Sequence, residues 1–229
     1  MWRSCSGLAR TRVCSLASAS CLRRSFSGDV KGLEAILTQK EREFGTESKE
    51  AGAALLDLGV MHTRLGDSPK ARDALERALP IVEREHGAES GLAGGMLRIL
   101  GDAYKKQGDY AKHRDAHERA LLIFERELGS DNMAVADVLN SLGSEYMRLG
   151  DDAKHRDAHE RALPIYEREL GSDSKEVAGL LNNLGLVYNN LGDHAKARDM
   201  LERALSIFER DYGEDSSARR LCKCGSISE

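Results

Sequence analysis

The chain has 229 residues, of which 31% are charged and only 5% aromatic, with a formal net charge of −4. An acidic balance argues against nucleic-acid binding, which needs a cationic face to displace counterions. No stretch approaches the ~20 apolar residues that a membrane-crossing helix requires.

Residues 1–28 contain five Arg, seven Ser and no acidic residue. That is the composition of a mitochondrial transit peptide, and Arg24-Ser25-Phe26-Ser27 resembles the pattern at which such presequences are cut. A mitochondrial location follows from this reading, and without residues 1–26 the chain carries −9. A degenerate helix competes with it, because Val13, Leu16, Ala17 and Ser20 stand 42 residues before Leu55, Leu58, Gly59 and His62. On that second reading the protein is cytoplasmic. A secretory signal is the third, with Val13 to Leu22 too diluted by Ser for a good apolar core.

Residues 29–49 read as half of a repeat. Leu33, Leu37, Glu41-Arg42 and Gly45 precede Leu75, Leu79, Glu83-Arg84 and Gly87 by 42 positions, which predicts a lone second helix. Residues 50–213 then hold four 42-residue blocks without insertion or deletion. Leu-Gly recurs at Leu58, Leu100, Leu142 and Leu184. Gly-Asp recurs at Gly66, Gly108, Gly150 and Gly192, and Glu-Arg-Ala-Leu begins at Glu76, Glu118, Glu160 and Glu202. A fixed period of this size marks an array of supersecondary units that bury their apolar faces on one another.

Each block predicts two helices. Leu181, Leu184, Gly185 and Tyr188 fall on one helical face. Gly192 suits a left-handed helix end and Asp193 a cap for the next helix. Ser68-Pro69 reads as an N-cap followed by proline in the first turn. Strand alternation is missing, so the fold class is all-α. Pro80 and Pro164 fall late in second helices and are expected to bend them. The recurring Glu-Arg-Glu reads as a solvated face with i,i+4 pairs. Residues 214–229 are expected to be a disordered tail, with Cys222-Lys223-Cys224 too isolated for a zinc site. All five cysteines lie outside the repeats, which implies no disulfide framework and fits a reducing compartment.

The Leu-Gly-x-x-Tyr stretches (Leu100 to Tyr104, Leu142 to Tyr146, Leu184 to Tyr188), the Gly-Asp turns and Glu-Arg-Ala-Leu resemble the tetratricopeptide repeat. That family's usual unit is 34 residues, so each block here carries eight more. Blocks of this length look like those of kinesin light chains and nephrocystin-like proteins, with Val177 to Gly185 the closest match. The resemblance covers roughly residues 31–213 and implies an α-α superhelical solenoid. It implies a protein-interaction scaffold, not an enzyme, and no cofactor. No phosphate loop, nucleophile elbow or zinc-protease helix is found.

The resemblance also implies that first helices line a concave, partner-binding side. The residues it places there are Arg98, Asp102 and Lys105; Asn140, Ser144 and Met147, with Arg148 beside them; and Asn182, Leu186 and Asn189, with Asn183 beside them. Asn amides can bond both N–H and C=O of an extended peptide. The carboxylate clamp of chaperone-binding relatives is not matched, because Gly95, Asp137 and Gly179 stand where a Lys is wanted. The uncapped C-terminal end leaves self-association open.

His113 and His117 recur as His155 and His159, where the outer repeats hold Ala71 with Leu75 and Ala197 with Leu201. Three readings stay open for this facet: plain packing, a pH-responsive joint, or a metal site. Against the last, the repeat positions no carboxylate or thiol to complete a coordination shell.

Overall fold

A computed structural model of the chain describes residues 30–212. The expectations for residues 1–28 and 214–229 lie outside that range. Among the described residues there are helices and turns and no strand. They are α1 (30–44), α2 (Lys49–Leu65), α3 (Ser68–His86), α4 (Gly91–Lys106), α5 (Tyr110–Leu128), α6 (Met133–Leu149), α7 (Asp152–Leu170), α8 (Lys175–Asn190) and α9 (His194–Tyr212). None of them is long and apolar enough to cross a membrane. The chain divides into two compact units, one ending at Ala88 and the other beginning at Glu89.

Capping explains why the helices begin where they do. Ser48, Ser90, Asn132 and Ser174 accept hydrogen bonds from the backbone N–H of Ala51, Ala93, Ala134 and Val177. Each bond satisfies one of the orphan donors of a first helix. The aspartate of each Gly-Asp mark does the same for the second helix, with Asp67, Asp109, Asp151 and Asp193 accepting from Lys70, Lys112, Lys154 and Lys196. Ser68 is therefore not the cap that the sequence suggested. It is the first residue inside α3 and is buried, because the carboxylate one position earlier already reaches the orphan N–H. Before Asp193, Gly192 turns the chain with φ 81°, and the Asp193 N–H closes on Tyr188 O at 2.9 Å.

Pairing is strongest within each repeat, α2 on α3, α4 on α5, α6 on α7 and α8 on α9. Inside the second unit α5 also packs on α6, and α7 on α8. The Leu-Gly mark is the crossing point of each pair. A Cβ on Gly59 would lie 2.6 Å from Leu75, one on Gly143 2.6 Å from His159, and one on Gly185 2.6 Å from Leu201. On Gly101 it would run into the His117 imidazole. No side chain fits there without moving its neighbour.

The other marks also turn out to be contacts. Tyr146 of one Leu-Gly-x-x-Tyr stretch donates to Glu118 of the preceding Glu-Arg-Ala-Leu at 3.0 Å, and Tyr188 donates to Glu160. Burial and then the carboxylate partner push both phenols up to about 12. The Glu-Arg-Glu reading needs correcting. Its first glutamate pairs with an arginine 36 residues later on the next second helix, as in Glu41–Arg77, Glu125–Arg161 and Glu167–Arg203. Its arginine reaches back to a carbonyl in the turn just before the first helix of its own pair: Arg84 to Glu47, Arg126 to Glu89, Arg168 to Asp131 and Arg210 to Asp173. The i,i+4 pairs come from other residues, Arg72–Glu76, Arg114–Glu118 and Arg156–Glu160. Exposed pairs of this kind contribute under ~1 kcal/mol each, so the ladder sets register more than it adds stability.

Pro80 and Pro164 do not end their helices. Both α3 and α7 run for 19 residues, as do α5 and α9, which carry Leu122 and Ser206 at that place. All four positions are exposed, so the missing N–H leaves a carbonyl facing water instead of an orphan in the core.

Candidate functional site

In the second unit the first helices α4, α6 and α8 carry a strip of polar residues beside their buried facets. Buried Leu97, Leu100, Leu139, Leu142, Leu181 and Leu184 hold these helices onto their partners. One step round each helix, Arg98, Asp102, Lys105, Asn140, Ser144, Asn182, Asn183, Leu186 and Asn189 are half-buried, while Met147 and Arg148 are exposed. Side chains in this state are steadied by neighbours yet open to solvent.

Several members of the strip already have partners. Ser144 Oγ donates to Asn140 O at 3.0 Å, and the Asn140 amide also borders the Tyr166 hydroxyl, which donates to Asp137 at 2.7 Å. Burial and then that carboxylate hold the Tyr166 phenol above its usual range. His194 and the Asn189 Oδ1 are 3.0 Å apart. Arg148 grips the buried Glu145 at 2.6 Å and lies 3.7 Å over the ring of Tyr110. An amide offers two donors as well as its oxygen, so a bond to Asn189 Oδ1 leaves both of that residue's N–H groups available. The strip is partly committed to its own fold, which the sequence did not reveal.

The histidines sit at the helix crossings. His113, His117, His155 and His159 are at most 1% exposed, and the rings of each pair meet tilted or edge-on, with centroids 4.3 Å or 4.7 Å apart. The two pairs differ in their surroundings. His113 Nδ1 lies 3.0 Å from Gly101 O, and His117 Nδ1 lies 3.2 Å from His113 O. In α7 no ring nitrogen of His155 or His159 has a partner of normal geometry, although His159 borders the carbonyls of His155 and Asn140. Burial, then the charge of His155, lowers His159 to about 4. Burial also lowers His155, opposed by Asp152.

A carboxylate does reach the first pair, contrary to the sequence reading. Asp102 Oδ1 stands 3.4 Å from His117 Nε2. Asp102 follows the crossing glycine directly, so it comes out of the crossing beside the imidazole that fills it. Burial works to raise the Asp102 carboxyl, but the His117 bond and the charges of His117 and Arg98 outweigh it and hold it below the usual value. The family resemblance had placed Asp102 on the strip alone. The signal was present in its position next to Gly101, 42 residues before the Gly143-Ser144 step. Glu145, 3% exposed on α6, had no signal beyond replacing the apolar Val187 of the next repeat.

Helix pairs joined by turns of two or three residues, repeated at a period of 42, define an α-α solenoid class of repeat protein. Tetratricopeptide repeats match residues 92–168 and 176–227, and a further tetratricopeptide repeat match covers 52–90. The chain belongs to the tetratricopeptide repeat family. Among solved structures it is similar to BtubC (BKLC) of P. vanneervenii, with TM-score 0.67 and 26% identity over 90% of this chain and 82% of that one. The kinesin light chain-like protein of Podosopora anserina with nearly identical TPR-like repeats gives TM-score 0.64 and 18% identity, covering 87% and 96%. MamA gives TM-score 0.60 and 20% identity, covering 86% and 96%. Comparison with curated proteins finds no match.

Proposed function

We propose that the chain is a non-enzymatic scaffold that holds a peptide or protein partner on the strip formed by α4, α6 and α8. Arrays of this family commonly mediate protein–protein interaction. The observation that carries the reading is the strip itself, polar residues at one register of successive first helices, half-buried. Amide donors and acceptors held in that state can pair with a backbone of any sequence. Exposed Met147 adds apolar contact next to them. No shared acid, base and nucleophile gather there to suggest catalysis in place of binding.

Replacing both Asn140 and Asn182 with Ala is expected to weaken partner capture without unfolding the repeats. Each lost amide contact should cost about 1 kcal/mol, so the pair lowers affinity roughly 30-fold. Proximity labelling in the native organism identifies neighbours of the wild-type chain, and quantitative capture of the same neighbours by the double variant reads the loss. Undiminished capture by a folded double variant would move the partner to another surface.

A further inference from the structure

We propose that Asp102, His113 and His117 form a binding site for a divalent cation of the zinc class, clamping α4 to α5. One ligand atom from each of the three lies within 4.8 Å of the other two. The two backbone contacts suit the tautomer that a metal ligand needs. A neutral imidazole that donates Nδ1–H to a carbonyl keeps its Nε2 as a lone pair, and both histidines have a carbonyl at Nδ1. Backbone carbonyls of this kind are common outer partners of metal-bound histidine, fixing the ring and raising its basicity.

One of the two Nε2 atoms is then left with little to do in a metal-free protein. His113 Nε2 is buried and has no hydrogen-bond partner. His117 Nε2 stands 3.4 Å from a carboxylate oxygen, a contact that a proton on Nε2 bridges in the metal-free protein and that a cation can take over by displacing that proton. That separation is longer than the ~2.7–2.9 Å of a charge-assisted hydrogen bond. It matches the ~3.3 Å between two ligands of a tetrahedral zinc with bonds near 2.0–2.1 Å. Two imidazoles and one carboxylate are borderline donors that suit zinc, with water in the fourth position.

Access and charge agree. The Asp102 side chain is 44% exposed, so an ion can enter from that edge although both rings are buried. Arg98 approaches the other carboxylate oxygen, Oδ2, at 3.9 Å, leaving Oδ1 to the site. From α6 the carboxylate of Glu145 acts on His113 as a counter-charge, while Lys105 on α4 acts against it. The equivalent pair in α7 provides an internal control. Position 144 there is Ser, and its hydroxyl is already bonded to Asn140 O, so no carboxylate completes the set.

The 229-residue chain, its five cysteines blocked with iodoacetamide, is titrated with zinc chloride in a calorimeter and with cobalt(II) as a spectroscopic probe. The expected result is uptake of about one ion per chain, with visible bands of tetrahedral cobalt and a rise in melting temperature. His113→Ala/His117→Leu should abolish this uptake. Those residues occupy the same places as Ala71 with Leu75 and Ala197 with Leu201, so the repeat keeps a packing it already uses elsewhere. Asp102→Asn should weaken binding by on the order of tenfold or more, and His155→Ala/His159→Leu should leave it unchanged. No uptake by the blocked wild-type chain, or uptake unaltered in His113→Ala/His117→Leu or in Asp102→Asn, overturns the site.

Discussion

Acidification from pH 7 to below pH 4 is expected to remove about 3 kcal/mol of stability through His159 alone. The folded protein holds this imidazole neutral, lowered from 6.5 to about 4 by burial and by His155. A histidine whose folded pKa is lowered binds fewer protons folded than unfolded. Its contribution is therefore fully present above the unfolded value, near 6.5, and is lost as pH falls through about 4. His155 acts in the same direction, with Asp152 partly opposing it. Protonation cannot be accommodated locally, since no ring nitrogen of the pair has an acceptor in normal geometry. Thermal melts between pH 8 and pH 4 on the wild type and on His155→Ala/His159→Leu measure the effect. The variant should lose much less of its melting temperature on acidification, and equal slopes in the two proteins would refute the assignment.

Two glycine-to-alanine changes on α8 are expected to have opposite signs. Gly179 has nothing within 4 Å of where its Cβ would stand, so alanine there should gain the helix-propensity difference of about 1 kcal/mol. Gly185 is at the crossing, where the same atom would lie 2.6 Å from Leu201 Cγ and 3.3 Å from Ala197 O. Leu201 has a rotamer to yield, but the backbone carbonyl has none. Overpacking of that kind costs about 1–3 kcal/mol, and because the propensity gain is common to both variants it separates them by that same amount. Chemical denaturation of each variant reads the difference directly. A Gly185→Ala protein as stable as Gly179→Ala would mean that the helices do not meet at the Leu-Gly step.

Much of the fold was legible because its sequence marks are contacts. Leu-Gly recurs because the glycine admits residue 75, 117, 159 or 201 from the facing helix. The tyrosine three residues further on recurs with Glu-Arg-Ala-Leu because the two bond to each other, as Tyr146 does to Glu118. What stayed hidden depends on side-chain reach between helices. The Glu125–Arg161 pairing joins residues 36 apart, a spacing that no periodicity within one helix suggests. Asp102 could be placed on the right helix, but its approach to His117 depends on how far α4 is rotated at the crossing. The strip residues were located by register, yet which amides are spent on Tyr166 or His194 is decided only by folded geometry.

The arginine ladder has a consequence for how such a chain can change length. Arg203 of α9 meets Glu167 of α7, and Arg161 of α7 meets Glu125 of α5, always the same two residue types at the same offset. Excising residues 133–174 would join α5 to α8, and Arg203 would then face Glu125 with the same chemistry. The cap at Ser174 would be replaced by the equivalent Asn132, and Tyr188 would find Glu118 in place of Glu160. Loss or duplication of 42 residues thus leaves every rung matched, whereas a change that is not a multiple of 42 strands each arginine opposite the wrong neighbour. A 187-residue chain made this way should remain helical and melt cooperatively, and one shortened by 38 residues should not. The gene can therefore grow or shrink by whole rungs, with the ladder acting as a ruler for permitted lengths.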